Sequence, residues 1–547
     1  MSGNSTRKTL ADACGIAPAT FAAWRDESLA RRAEWLARAE ALKPRLFRRN
    51  IAPSGLVRIA RDEKAFLGWR AVSAGAAEAA QVRPLAVGDS FIFDFGEHIV
   101  GHLSFRLVGF DKPVDAPVRL SFFFAETPLE LAPDLSVPEL AHTISQAWIQ
   151  CETTTFDDVP SHVRLPRRYA FRYVRVKVDA CSGGGLFGLA DTTAEATTSA
   201  DETRLLPWTP PSPEAARLDA IARRTLRDCM QTVFEDGPKR DRRLWLGDLR
   251  LEALANYATY RNLALVERSL FLLAGLADDD ALVRSDAYER PVPQRGNCRI
   301  LDYTALLAAA VREWLEAGGD RTAAESLWPL CARQAEFLLH AVDADGVFRD
   351  DGKWWCFIDH NAALDRQTAE QGAIAFGLRA TIALALALGR DAEVMFLADA
   401  IACMERGARE RLWDETRGVF VCENGGQVSQ SGQAWMVLGG LVTGEEAQLC
   451  LLDTLANPAA VRPVSPYAVH GVVEALHAAG LHREANKRLY AYWGRMADAG
   501  ADTFWEVFVP EDPLASPYGT PLLNSHCHAW SCAPAWFLRK VKGADCR

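Results

Sequence analysis

The sequence predicts a chain of several domains, in which an N-terminal β-sandwich or jelly roll precedes an all-α barrel of six helical hairpins, an (α/α)6 barrel. Three observations lead to this prediction: apolar residues alternate in the first part, they recur with a helical period in the second, and a proline-rich junction separates the two. A length of 547 residues agrees with more than one domain, because single domains commonly have about 100–200 residues.

The first ~200 residues contain short runs in which every second residue is apolar. These runs lie at 91–95, 103–107, 118–124 and 174–178. Short alternating strands joined by glycine- and proline-containing turns are typical of a sandwich or a jelly roll. We therefore expect a sandwich domain at 51–205, after an N-terminal helical segment at 1–50 whose amphipathic helix runs from Leu29 to Leu42.

A proline-rich stretch marks the junction between the two parts. Residues 206–213 read Leu-Pro-Trp-Thr-Pro-Pro-Ser-Pro, which is incompatible with a regular helix or strand. Ser212 then caps a helix whose first residue is Pro213. Because the apolar period is helical from there on, we expect the helical domain at 206–541.

Apolar period and turn residues divide the second part into about twelve helices. They are expected near 213–232, 245–260, 262–276, 301–318, 320–342, 366–388, 391–412, 430–442, 443–456, 466–480, 482–499 and 526–541. Helices that pair in this number form six hairpins; an open helical solenoid is the alternative, but no repeat of fixed period supports it. Linkers rich in acids and aromatics at 277–300, 343–365 and 500–525 are where a site is expected.

Composition excludes several kinds of partner. A net charge of -10 and a pI near 5.7 disfavour nucleic acid, which needs a clustered basic surface. No uninterrupted apolar run of ~18 residues predicts a membrane span, and the first residues do not resemble a secretory signal. Thirteen scattered cysteines are expected as free thiols in a reducing compartment. We therefore expect a cytoplasmic protein without a nucleic-acid or membrane partner.

The densest group of chemically active residues lies at 235–248. It holds four acids, three arginines, a lysine and Trp245, just before an apolar helix. A solvated charged turn is one interpretation of such a stretch. The neighbouring tryptophan and the apolar helix favour a pocket instead.

Two further groups combine acids with aromatic rings. Glu506 is flanked by Trp505, and a partly desolvated carboxylate of this kind suits a general base, unless it points to solvent. Trp355 precedes Asp359 and His360, and rings beside an acid are typical of sugar sites, although core packing beside one surface acid is the alternative.

A fourth group, His526-Cys527-His528, raises the question of a metal. A closed metal site is rarely built from such closely spaced residues without a second ligand pair, so we expect neither a metal nor a cofactor. The chain also lacks a nucleophile elbow, a phosphate-binding loop and an HExxH motif. Paired carboxylates among aromatic rings on a helical barrel favour cleavage of a glycosidic bond by an acid and a base.

These groups resemble the motifs of the α-L-rhamnosidases of glycoside hydrolase family 78. Residues 236–248 are similar to that family's Asp-Cys-Pro-x-Arg-(Asp/Glu)…Trp-x-Gly-Asp motif, and 500–506 to its Gly-Ala-Thr-Thr-x-Trp-Glu element. Further similarities lie at 94–101, 465–467, 492–496 and 527–531. The resemblance implies inverting hydrolysis of terminal α-L-rhamnosides, with carboxyls ~6.5–9.5 Å apart.

The resemblance also implies roles for individual residues. Glu506 is implied as the general base, and Asp241 stands where the family usually has a glutamate as proton donor. The residues implied or indicated as sugar-binding are Asp236, Arg240, Trp245, Asp248, Trp355, Asp359, His360, Trp505 and His528. Because a donor must be protonated, we expect Arg240 and Arg242 to face Asp236, Asp248 or solvent rather than Asp241.

Three departures from the family pattern leave alternatives open. Asp241 is one methylene shorter than the usual donor, Gly237 replaces a common cysteine, and His360 stands where a tryptophan commonly follows the acid. The first alternative is a six-hairpin hydrolase that acts on another deoxyhexose or on a uronic acid. The second is a non-catalytic carbohydrate-binding relative.

Overall fold

The computed structural model describes residues 8–13, 18–81, 83–110, 117–132, 146–182, 185–350 and 352–540. Residue 541, the predicted end of the helical domain, and the cysteines Cys14 and Cys546 lie outside these ranges. Two large apolar cores occupy the described chain, one in the sheet-rich part and one in the helical part.

Nine strands form one hydrogen-bonded network within the described N-terminal part. They are β1 (Phe47–Ile51), β2 (Gly55–Arg61), β3 (Trp69–Gly75), β4 (Ser90–Phe110), β5 (Val118–Ala125), β6 (Cys151–Phe156), β7 (Ser161–Arg164), β8 (Tyr169–Cys181) and β9 (Leu186–Thr198). The main order is β1-β9-β4-β8-β5-β6, with β2 and β7 also paired to β4 and β3 paired to β2; the pairs are antiparallel. The predicted alternating runs fall in β4, β5 and β8.

The long strand β4 organises this part of the fold. Its first half pairs with β2 and β8, whereas its second half pairs with β9 and β7. The change of partner centres on Gly101, where a Cβ atom would lie 2.1 Å from the carbonyl oxygen of Glu195 in β9. Only glycine allows this close approach. Alternate residues such as Phe93 and Phe105 are buried, which is why the strand pattern is readable in the sequence.

The helices of the second part mostly lie where the period predicts them. They are α4 (Pro213–Cys229), α5 (Leu246–Ala258), α6 (Leu263–Gly275), α7 (Leu301–Glu316), α8 (Arg321–Leu339), α9 (Gln367–Leu388), α10 (Phe396–Arg411), α11 (Gln430–Leu438), α12 (Gly444–Ala456), α13 (Pro466–Ala478), α14 (His482–Leu489), α15 (Arg495–Asp498) and α16 (Pro534–Lys540). The first part of the chain contains the short α1 (Leu10–Ala13), the long α2 (Pro18–Ala41) and the short α3 (Glu78–Gln81). A π-helical turn, Tyr490–Gly494, separates α14 from α15.

Two predicted helices are wrong in their extent. The helix predicted from Leu29 to Leu42 begins at Pro18, because Trp24 in its first part is also buried against the helical core. Residues 526–533 are not α-helical as predicted but form a loop and a short 3-10 turn, and α16 begins only at Pro534. The physical reason is that a helix over 526–541 would place Pro534 in its interior, where proline has no amide hydrogen and clashes with the carbonyl group four residues earlier. The amides of His526 and His528 instead bind a Glu126 carboxylate oxygen and the carbonyl oxygen of Phe504. By contrast, the predicted start of α4 is confirmed: Ser212 accepts a hydrogen bond from the amide of Ala215 at 3.1 Å, with Pro213 in the first turn.

Alternate helices of the second part pack on one another in succession. The series α5, α7, α9, α11 and α13 forms such contacts, and α16 packs on α4 and α5. Helix α9 is apolar enough by composition to cross a membrane, with a mean hydropathy of 1.6, but 67% of its most apolar window is buried inside the protein. It is thus a core helix of this series, and the site described next lies in the loops at the ends of these helices.

The N-terminal helix α2 packs on the helical part rather than on the sheet. It contacts α6 and α8, and the indole nitrogen of the fully buried Trp35 donates to Ser326 Oγ at 2.8 Å. Gly275 of α6 leaves room for Leu36, whose side chain would lie 2.6 Å from a Cβ at that position. The chain then enters β1, so the sheet lies in sequence between two segments of one helical core.

Candidate active site

The site is built from three loops of the helical part and from one edge of the sheet-rich part. The loops are 235–248, 354–360 and 500–528, which contain the groups that the sequence singles out. The sheet-rich part adds Trp148, whose ring lies 5.3 Å from the Arg240 guanidinium. Carboxylates, one guanidinium and several rings therefore meet in one place.

Glu506 is buried and accepts four hydrogen bonds from three donor groups. Arg240 Nη2 donates to both of its carboxylate oxygens at 2.7 and 2.8 Å, Tyr518 Oη donates at 2.5 Å, and the amide of Ser525 donates at 2.9 Å. Burial by itself raises the pKa of Glu506, but Arg240, His528, His360 and the Ser525 amide together outweigh it, and the pKa falls to about 2. The carboxylate is therefore ionised at neutral pH.

Asp241 lies on the other end of the same guanidinium. Arg240 Nη1 donates to Asp241 Oδ1 at 3.0 Å, and Arg243 Nη1 lies 3.9 Å from Oδ2. The prediction that Arg240 avoids Asp241 is thus wrong, because two neighbouring carboxylates are stabilised by a cation between them. Arg242 does point away from Asp241, but its Nη2 donates to Gln150 Oε1 at 3.2 Å and not to either of the predicted partners Asp236 and Asp248.

Asp236 lies beneath the loop that carries Asp241. Its carboxylate accepts hydrogen bonds from the amides of Asp241 and Arg243 at 3.1 and 3.0 Å, so it fixes the shape of the loop. Burial and the nearby charge of Asp241 raise the pKa of Asp236 to about 7. Near neutral pH this carboxyl therefore exists in both protonation states.

Several buried polar atoms at the site have no hydrogen-bond partner among the described residues. They are Asp248 Oδ1, His528 Nδ1, His360 Nε2 and the Tyr467 hydroxyl. Burial raises the pKa of Asp248 well above its usual value and lowers the pKa of His528 to about 3 and that of His360 to about 4. An unpaired buried polar group costs about 1–3 kcal/mol, so these atoms favour a ligand rich in hydroxyl groups.

Two aromatic residues of the site are not among the site residues predicted from the sequence. The Trp530 ring lies 4.1 Å from the His528 ring and 5.5 Å from the His360 ring, and its indole nitrogen donates to the carbonyl oxygen of Glu506 at 3.1 Å. Tyr518 places its ring 4.0 Å from the Arg240 guanidinium. Both residues lie inside stretches that were singled out, but only their contacts distinguish them from neighbouring aromatics.

Other predicted sugar-binding residues have different surroundings. Trp505 is buried against Phe66 and His526, Trp355 is 52% exposed, and the half-buried Trp245 lies edge-on to Tyr303 at 6.3 Å.

The Asp359 carboxylate accepts hydrogen bonds from the amides of His360, Val464 and Ser465 and from Ser465 Oγ. Burial raises its pKa to about 6. Its oxygens are thus occupied by protein donors, and it fixes the backbone next to His360.

Two groups of side chains near the site have the ligand types of a metal centre. They are His98, Asp228 and Cys527, and Glu126, Glu130 and His526. Their carboxylates already have cationic or imidazole partners: Lys239 Nζ lies 2.6 Å from Glu130, and the His98 ring nitrogens lie 2.8 Å from Asp228 and 3.1 Å from Glu126. A metal would have to displace these contacts, and the expectation of no metal stays a prediction.

Comparisons with known proteins agree with this arrangement. Residues 53–196 match the family model described as the glycosyl hydrolase family 78 alpha-rhamnosidase N-terminal domain, and residues 212–541 match the bacterial alpha-L-rhamnosidase 6 hairpin glycosidase domain. No curated protein is similar enough to the chain to count as a match.

Solved structures supply the remaining comparison. A rhamnosidase from Klebsiella oxytoca with rhamnose bound is 39% identical, with a TM-score of 0.89, and the match covers 93% of this chain and 98% of that one. The family 78 rhamnosidase of Bacillus sp. GL1 is 22% identical, with a TM-score of 0.71 over 87% of this chain and 50% of that one, and shows the fold alone. On the family models and the Klebsiella oxytoca structure, the chain belongs to glycosyl hydrolase family 78, the α-rhamnosidase family, and is a glycosidase.

Proposed function

We propose that the protein hydrolyses terminal α-L-rhamnosides with inversion, with Asp241 as the proton donor and Glu506 as the general base. The observation that carries the proposal is that one guanidinium, that of Arg240, binds both carboxylates. The presence of rhamnose in the Klebsiella oxytoca structure supports the choice of sugar.

Glu506 suits the role of the base because it is ionised and fixed in place. A carboxylate with a pKa of about 2 is a weak base, however. We infer that hydroxyl groups of the bound sugar accept some of the hydrogen bonds that Arg240 otherwise donates to Glu506. The pKa of Glu506 then rises, and its carboxylate becomes a stronger base. The water that it deprotonates attacks the anomeric carbon, and the proton remains on Glu506.

Asp241 suits the role of the acid because it is the most open of the four acids in loop 235–248, with 13% of its side chain exposed. The proton moves from Asp241 to the glycosidic oxygen as the bond to the anomeric carbon breaks. Asp241 lies in ion pairs with Arg240 and Arg243, and the exchange of these contacts for contacts with the substrate is part of the proposal. Asp236 is the next candidate, but its oxygens face the backbone of the loop.

The unpaired atoms of Asp248, His528, His360 and Tyr467 are proposed to bind the sugar hydroxyls, with the Trp530 ring against an apolar face of the sugar. A uronic acid is less well suited, since Arg240 and Arg243 already bind Glu506 and Asp286. A neutral deoxy sugar needs no free cation.

The finer details of the fold and the location are also proposals. We propose that the helical hairpins close into an (α/α)6 barrel, which the succession of alternate helices supports, and that the sheet-rich domain is a jelly roll. We propose a cytoplasmic location, which is supported by the free thiol of each cysteine that the structure describes.

A panel of 4-nitrophenyl glycosides tests the substrate class. We expect the α-L-rhamnoside to have the highest kcat/KM, above those of an α-L-fucoside and a β-D-glucuronide, because the unpaired groups of the site are arranged for a neutral sugar. Release of nitrophenolate is the measurement. Faster hydrolysis of the uronide would contradict the proposal, and rhamnose binding without turnover of any glycoside would indicate a non-catalytic protein.

The stereochemical course is tested by proton NMR during the first minutes of hydrolysis of an α-L-rhamnoside. We expect the β-anomer of rhamnose to appear first, because a single displacement by water inverts the anomeric carbon. Mutarotation then forms the α-anomer. Initial release of the α-anomer would instead imply a covalent intermediate and two closer carboxyls.

The two carboxylates are distinguished by the leaving group. Asp241→Asn should slow hydrolysis of an alkyl rhamnoside by about 10²–10⁴-fold and largely spare a dinitrophenyl rhamnoside, whose departure needs little protonation. Glu506→Gln should slow both substrates alike, because water still needs its base. Steady-state kcat with each substrate is the measurement. An equal loss on both substrates in Asp241→Asn would make Asp241 a binding residue.

The role of Arg240 is tested by the pH dependence of kcat/KM. Arg240→Gln removes the guanidinium, the largest of the influences that lower the pKa of Glu506, so that pKa should rise from about 2. Because the base works only when ionised, the variant should lose activity at a higher pH than the native enzyme as the solution is acidified. The control is Arg242→Gln, whose guanidinium faces Gln150. An unchanged acidic limb in Arg240→Gln would refute this role.

A further inference from the structure

We propose that the sheet-rich domain is part of the catalytic machinery, with Glu126 and Glu130 as positioning residues for the loops that carry Arg240 and Glu506. Both glutamates follow the end of β5, and their side chains, 1% and 7% exposed, lie at the contact between the two domains. The inference rests on the proposed function, because the two glutamates are proposed to position Arg240 and Glu506 for that reaction.

Glu130 binds the loop that carries the guanidinium. Its Oε2 lies 2.6 Å from Lys239 Nζ, and only 7% and 2% of the two side chains are exposed. Burial by itself raises the pKa of Glu130, but Lys239 and His526 outweigh it, and the pKa falls to about 2. Since Lys239 immediately precedes Arg240, this ion pair fixes the backbone from which the central guanidinium extends.

Lys239 and Arg240 together hold the segment 522–526. Lys239 Nζ donates to the carbonyl oxygens of Leu522 and Asn524, each at 3.0 Å, and Arg240 Nε donates to that of Leu523 at 3.0 Å. Three successive carbonyl groups are thus bound by two adjacent cations. A shift of Lys239 would therefore move this segment together with Arg240.

The amides of the same segment bind carboxylates from both domains. The amide of Ser525 donates to Glu506 Oε2 at 2.9 Å, and the next amide, that of His526, donates to Glu126 Oε2 at 2.6 Å. Glu126 Oε1 lies 3.1 Å from a ring nitrogen of His98 in β4. The Glu126 carboxylate of the sheet-rich domain therefore holds the amide of His526, and the preceding amide, that of Ser525, binds the proposed base Glu506.

This arrangement predicts a loss of turnover rather than of sugar binding. Glu130 binds Lys239, and Glu126 binds the amide of His526. Each of these groups is one residue away from a donor to Glu506, namely Arg240 and the amide of Ser525. The proposed sugar-binding side chains Asp248 and His528 are not among the contacts of the two glutamates. A displacement of about 1 Å can cost about 10²-fold in rate.

The test compares Glu130→Gln, Glu130→Asp and the native enzyme, with 4-nitrophenyl α-L-rhamnoside as substrate and free rhamnose as a competitive inhibitor. Glu130→Gln keeps the shape of the side chain but removes its charge, and we expect kcat to fall about 10–100-fold while the inhibition constant of rhamnose changes little. Glu130→Asp keeps the charge and should recover a large part of kcat.

The control is Glu152→Gln in the same domain, which removes an exposed ion pair with Arg167 and should leave kcat unchanged. Thermal unfolding of each variant separates positioning from folding. Native kcat in folded Glu130→Gln would overturn the inference, as would failure of both Glu130 variants to fold, which would make the residue purely structural. Absence of turnover by the native enzyme on this substrate would instead contradict the proposed function, and the ratios would then be measured on whichever glycoside of the panel it hydrolyses.

Discussion

The guanidinium of Arg240 lies between two carboxylates that would otherwise repel one another across a poorly solvated space. Its Nη1 and Nη2 bind Asp241 and Glu506, and the rings of Tyr518 and Trp148 lie near it at 4.0 and 5.3 Å. A guanidinium suits this position because it keeps its charge when buried and presents donors in several directions. The positions of both proposed catalytic groups depend on this one side chain, and the loops around the site hold it in place.

The outline of the fold could be predicted because its cause is local. A period of two in β4 and a helical period after Ser212 reflect which face of each element is buried, and that information lies within a few residues. Pro534 alone limits the helix predicted at 526–541. What the sequence does not show is where the amides of His526 and His528 bind, because Glu126 and Phe504 lie elsewhere in the sequence.

The same distinction separates the predicted from the unpredicted parts of the site. Asp236, Asp241 and Glu506 could be identified from motifs, because each motif lies within one loop of the chain. The spacing of residues does not show that Glu130 binds Lys239, which lies 109 residues later in the sequence. Nor does it show that the Asp359 carboxylate accepts a hydrogen bond from the backbone 105 residues later. Residue type alone also cannot separate the exposed Trp355 from the buried Trp530.

The packing of α2 has a consequence for the order in which the protein acquires its structure during synthesis. Trp35 finds its hydrogen-bond partner 291 residues later in the chain, so the ribosome completes the sheet-rich domain and α4 to α7 before that partner exists. Until α6 and α8 have both been made, α2 presents part of its apolar face without the surface that covers it, which is the condition under which nascent chains aggregate or engage chaperones. Contacts so distant in sequence also slow folding, because a long loop must close before they form. The first long helix to be made therefore completes its docking only after the sheet-rich domain and α8 have been synthesised.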